Sequence, residues 1–176
     1  MKKSILYIII FSSISCSVQA KSTFETYGDI GQLAIPLIAA GISLGQEDYD
    51  GLKQLGYSAL SSEATVQILK YTVDEKGPDG EGKSFPSGHT ARAFTGATYL
   101  QMRYGWEYGI PAYLAAGAVG WSRVDANQHY WRDVLVGAAI GTGFTYLFTT
   151  HQDQRYAFYP AIDSNFYGVG FNYAFK

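Results

Sequence analysis

Residues 84–89 read Ser84-Phe85-Pro86-Ser87-Gly88-His89, and residues 122–133 read SRVDANQHYWRD, running from Ser122-Arg123 through His129 to Asp133. His129 and Asp133 stand four apart. If the helix expected over Val134–Phe148 reaches back to them, imidazole and carboxylate share one face within contact range. A carboxylate so placed fixes the ring tautomer and stabilises the positive charge that develops when the imidazole attacks an electrophile. The two blocks together hold two histidines, a carboxylate, an arginine and a small polar turn. That set suits phosphoryl transfer and needs no metal and no cofactor.

Taken singly, each piece has a plainer meaning. Ser87 is a good helix cap, and a His and Asp four apart are usually a surface pair. Their occurrence together gives the catalytic reading its weight. His151 ends an apolar helix and reads as a helix-end residue.

Working outward, the flanking sequence is helical. Asp29–Gly45 is apolar, with Pro36 bending or starting a helix. Tyr49–Val73 places apolar residues at a helical period and carries Lys70 near its end. Asp74–Lys83 (DEKGPDGEGK) is a loop dense in glycine and charge. Ser87–Arg103 follows as a helix capped by Ser87 or Thr90, whose free first-turn amides favour an anion. Ile110–Trp121 and Val134–Phe148 complete the set, with Gly137, Gly141 and Gly143 permitting close helix approach. The tail alternates: Tyr167, Val169, Phe171, Tyr173 and Phe175 are apolar, so Phe166–Phe175 reads as a strand paired with Tyr156–Ile162. The expected fold is all-α, a compact helical bundle with a C-terminal β-hairpin. Residues 21–150 form the helical domain and 151–176 the tail.

Residues 1–20 resemble a secretory signal, with Lys2-Lys3, the apolar Ile5–Phe11 and Val18-Gln19-Ala20 before the cleavage point. Their removal takes two lysines and no acid, so 11 basic residues face 15 acidic ones and the net charge moves from −2 to −4. The one cysteine, Cys16, leaves with them, and with it any disulfide or thiol chemistry. The acidic balance argues against nucleic acid as a partner. Export to the periplasm is expected. Apolar segments of about 15 residues fall short of the roughly 20 that span a bilayer. With a mean hydropathy of −0.05, they favour a soluble or surface-bound domain, while the 15 tyrosines and 10 phenylalanines suit contact with a membrane surface.

These blocks resemble the type 2 phosphatidic acid phosphatase and vanadium haloperoxidase superfamily, in particular its short exported bacterial members. Pro86-Ser87-Gly88-His89 matches the second family motif, and Ser122-Arg123 to His129 and Asp133 matches the third in full. The first motif is altered. Lys70 is followed after six residues by Gly77-Pro78, where the family has Arg-Pro. The resemblance covers Lys70 to about Gly141. It implies that His129 is the nucleophile forming a phosphohistidine, that Asp133 orients it, and that His89 protonates the leaving oxygen and then activates water. Lys70, Ser87, the Gly88 amide and Arg123 would hold the phosphate oxygens.

Gly77 removes one cation from that cradle, a loss worth about 2–4 kcal/mol by analogy with a missing oxyanion donor. Lys76 is the nearest substitute in sequence, with Lys83 and Arg92 behind it. The expected activity is hydrolysis of a soluble phosphomonoester or a lipid phosphate, such as phosphatidic acid, lipid A or polyprenyl diphosphate. A phosphate or phospholipid binder that has lost turnover, and a vanadate-dependent haloperoxidase, are the alternatives. Oligomeric state is not legible.

Overall fold

The structure is a computed structural model that describes residues 21–152, 156–163 and 166–173. The signal-like residues 1–20 lie outside the described residues. Among the described residues five helices follow in order: α1 (Thr23–Gly45), α2 (Tyr49–Val73), α3 (Gly88–Tyr104), α4 (Trp106–Asp125) and α5 (Trp131–Phe148). A hairpin of β1 (Tyr156–Asp163) and β2 (Phe166–Tyr173) closes the chain, antiparallel with Tyr156 opposite Tyr173 and Asp163 opposite Phe166. The bundle and hairpin are those expected.

Local chemistry sets the helix ends. Ser22 accepts from the Glu25 amide at 3.0 Å and Asp48 from the Gly51 amide at 2.9 Å, so two orphan first-turn donors are satisfied. Ser87 rather than Thr90 caps α3. Pro36 lies inside α1, backed by α3, where a Cβ on Gly96 would come within 2.7 Å of the proline nitrogen.

Helix α3 is the axis, packed against each of the other four. Its inner surface is small: Ala93 and Ala97 are fully buried among Ala39, Ala116, Val119 and Tyr99. Small side chains let the helices close up. On α5, Cβ atoms at Gly137 and Gly141 would meet the Ser87 and Ala91 carbonyls at 2.4 and 2.3 Å, whereas Gly143 faces open space.

The helices alternate in direction, so the start of α1, the end of α2, the start of α3, the end of α4 and the start of α5 meet at one end. The opposite end is tied by a buried network. Arg103 donates to both oxygens of Asp48 at 2.7 and 2.5 Å and to the Thr150 carbonyl, while Tyr104 donates to Ser43 and Asp48. A buried ion pair needs this degree of hydrogen bonding to offset its desolvation.

The outer faces are apolar. Leu33, Leu37 and Ile38 of α1, Leu60 and Ile68 of α2, Leu114 of α4 and Leu135 of α5 are all more than half exposed. Trp106 and Trp121 near the two ends of α4, with Trp131 and Tyr146 towards those of α5, flank them in exposed positions. Helices α1, α4 and α5 run to 23, 20 and 18 residues, longer than the sequence reading assigned, while α2 matches it and α3 is displaced by one residue. Glycine-rich and aromatic first and last turns, which carry weak apolar periodicity, account for the difference. Helix α1 is long and apolar enough to cross a membrane. Both observations weaken the preference for a soluble domain.

Candidate active site

Helix α5 starts at Trp131, so His129 precedes it and the shared-face argument does not hold as stated. The pair forms by another route. Asp133, in the first turn of α5, accepts from the Tyr130 amide at 3.1 Å, which folds the chain back and leaves His129 Nδ1 3.6 Å from Asp133 Oδ2. Ser84 fills the gap: its hydroxyl donates to Asp133 Oδ2 at 2.6 Å and lies 3.1 Å from His129 Nδ1. The two motifs are also joined through the backbone, the Ser87 amide donating to the Asp133 carbonyl at 3.0 Å. Nδ1 is committed to Ser84 and Asp133, so Nε2 is the ring nitrogen that these two contacts leave unengaged.

His129 is largely buried, and burial, then the Lys70 ammonium, hold its pKa below the ordinary imidazole value against the opposing pull of Asp133. A ring neutral near pH 7 keeps its lone pair, which a nucleophile requires.

His129 and Lys70 open onto a cavity of about 230 Å³, walled by Ser84, Gln128 and the loop residues Asp79, Glu81, Gly82 and Lys83. That is below the roughly 300–1,000 Å³ of a site engulfing a drug-sized ligand, so it fits a head group rather than a whole lipid. The Lys70 ammonium donates to the Lys83 carbonyl at 2.6 Å, tying helix α2 to the loop.

The remaining predicted residues sit beside the cavity rather than on its wall. His89 Nε2 lies 3.2 Å from Asp29 Oδ1. Arg123 is wholly buried: Nη1 donates to Asp29 Oδ1 at 2.7 Å and to Gln128 Oε1 at 3.1 Å, Nε to Ser122, and Nη2 to the Glu25 carbonyl. The Gln128 and His129 amides both donate to the Arg123 carbonyl, so the arginine joins the His89 side of the site to the His129 side. Ser87 is buried with its oxygen turned to Thr90, and Gly88 is buried behind it.

Lys76 is exposed and is not on the cavity wall. Arg92 forks onto Glu63 at 2.9 and 2.8 Å and reaches Gln32 at 2.6 Å. Lys83 does line the cavity, its ammonium 3.9 Å from the centre of the Tyr71 ring. Gly77 has no room for a side chain, since a Cβ would fall 2.7 Å from Asp79 Oδ1 and 2.8 Å from the Gln128 carbonyl.

Sequence reasoning missed Ser84, Gln128 and Asp29. Gln128 directly precedes His129, and Ser84 stands two residues before Pro86. Asp29 comes from the first helix, where nothing in the spacing marks it.

The PAP2 superfamily model matches residues 51–157. The lipid A 4'-phosphatase of Helicobacter pylori is 34% identical over 167 residues, covering 85% of this chain and 84% of the relative. The lipid A 1-phosphatase of Porphyromonas gingivalis is 36% identical over 132 residues, covering 68% of this chain and 29% of its own length. The crystal structure of Aquifex aeolicus LpxE superposes with a TM-score of 0.63 at 25% identity, covering 70% of this chain and 81% of that one. With the two motifs met at one end of a five-helix bundle, these matches show that the chain belongs to the PAP2 superfamily and is a phosphatase.

Proposed function

We propose that this phosphatase removes a phosphate monoester from a lipid A-type glycolipid, through a phosphohistidine on His129, with the bundle seated in a membrane and the site at one interface. The observation that carries it is the placement of His129 and Lys70 on a head-group-sized cavity at the end of a bundle whose outer faces are apolar. Trp and Tyr towards both ends of the exposed leucine belt match the residues that settle at membrane interfaces. The lipid A phosphatases among the relatives supply the substrate class.

His129 Nε2 attacks phosphorus, the P–O bond to the sugar breaks, and His89 gives the leaving oxygen its proton. Burial holds the His89 pKa at about 4 in the free site, and the bound phosphate dianion favours the imidazolium that makes this transfer. Water then attacks the phosphohistidine, His89 takes its proton, and the N–P bond breaks to release inorganic phosphate and the free ring. Charge spreads over three phosphoryl oxygens during both steps, so fixed cations around the cavity stabilise them. Lys70 is one. Lys83 takes the place of the absent arginine: it lines the cavity, and its carbonyl accepts from Lys70 at 2.6 Å.

Phosphate release is measured from lipid A, phosphatidic acid, polyprenyl diphosphate and a soluble aryl phosphate, beside His129→Ala. Release from lipid A that disappears in the variant is the expected result. Equal rates for both proteins on every substrate would end the proposal.

A further inference from the structure

Outside the matched segment 51–157, helix α1 brings one carboxylate into contact with two site residues. Asp29 Oδ1 is 3.2 Å from His89 Nε2 and accepts from Arg123 Nη1 at 2.7 Å, while Oδ2 accepts from Lys21 at 2.6 Å. One oxygen shared between ring and guanidinium fixes each relative to the other. The approach is built into the packing. At Gly28 a Cβ would fall 1.9 Å from Ser122 Oγ and 2.3 Å from Arg123 Nη2, and at Gly31 it would fall 2.7 Å from Val119, so α1 lies directly on α4.

We propose that Asp29 is a positioning residue for the reaction, orienting His89 and Arg123 as Asp133 and Ser84 orient His129. The proposal rests on the function above. A wholly buried guanidinium needs an anionic partner, and Asp29 is the carboxylate that Arg123 contacts. His89 needs one tautomer to exchange protons in a fixed direction. With Nε2 held against Asp29, Nδ1 is the ring nitrogen left for the proton transfer. Each histidine thus has its own carboxylate, one contributed by the family motif and one by the first helix.

Asp29→Asn keeps the shape and removes the charge. Its kcat on the substrate that His129 turns over falls by roughly 10-fold to 100-fold, as for other residues that orient a reacting group, with KM nearly unchanged. The discriminating measurement is the double variant: in a His89→Gln background, Asp29→Asn lowers kcat by much less than it does alone, because both changes remove the same unit. A merely structural Asp29 gives multiplicative losses in the double variant, and that result overturns the proposal. So does a fall in KM with kcat kept, which marks the carboxylate as a competitor for the anion site. Wild-type rates equal to those of His129→Ala would remove the parent reading and this one together. A His129-dependent rate that Asp29→Asn leaves untouched removes this one alone.

Discussion

The Ser84 hydroxyl donates to the Asp133 carboxylate at 2.6 Å and lies within 3.1 Å of His129 Nδ1, closer than Asp133 itself at 3.6 Å. The serine therefore bridges the carboxylate and the ring. A hydrogen bond to a charged group contributes about 1.5–3 kcal/mol. Ser84→Ala should lower kcat about 10-fold, at the small end of that range because Asp133 can close part of the gap. Steady-state phosphate release measures it, and a variant as fast as wild type would assign Ser84 to packing alone.

His129 lies between α4 and α5, outside both helices, and its pKa is held below the ordinary imidazole value by burial and by Lys70. A lowered value means that the proton leaves at lower pH, so activity should persist below about pH 6.5, where a free imidazole is half protonated. Lys70→Ala removes the cation that opposes protonation. The acid limb of its pH profile should move to higher pH, on top of a loss of rate from the missing phosphate contact. The same shift bears on folding. Stability from a ring kept neutral is present above the unfolded value near 6.5 and drains away as pH falls towards the folded value. A Lys70→Ala profile displaced to lower pH would contradict this electrostatic assignment.

Restoring the family arginine should not help. At Gly77 a side chain would start 2.8 Å from the Gln128 carbonyl and 2.7 Å from Asp79. Gly77→Arg should therefore displace the loop and destabilise the fold by about 1–3 kcal/mol, with activity falling rather than rising. Lys83→Ala should lose the larger share of rate and Lys76→Ala almost none, since Lys83 lines the cavity and Lys76 does not. Melting curves and phosphate release on the three variants decide it. A more active Gly77→Arg would show that the loop can yield.

The two motif blocks were legible as helix starts because their signals are local: Ser87 caps α3 and Asp133 lies in the first turn of α5. The apolar period also placed α2 from Tyr49 to Val73. Two contributions stayed hidden. Asp29 reaches Arg123 across 94 residues, a contact that only the packing of Gly28 against α4 creates. The exposed leucine belt was invisible for a different reason. In a water-soluble bundle the same leucines would face inward, and sequence period alone does not say which face of a helix meets its neighbours.

That belt makes the last prediction. Leu37, Leu114 and Leu135 are 67%, 72% and 65% exposed, on α1, α4 and α5. In water, replacing an exposed leucine by arginine is nearly neutral for stability and favours solubility. In a bilayer, an arginine at the centre of a helix is unfavourable by about 2.5–3.5 kcal/mol on an insertion scale. Leu37→Arg, Leu114→Arg and Leu135→Arg should each reduce the amount of folded protein recovered from the membrane fraction, and the three together should abolish it. Fractionation followed by detergent extraction reads the result directly. Soluble, active protein from the triple variant would place the bundle in water and remove the lipid from around these helices.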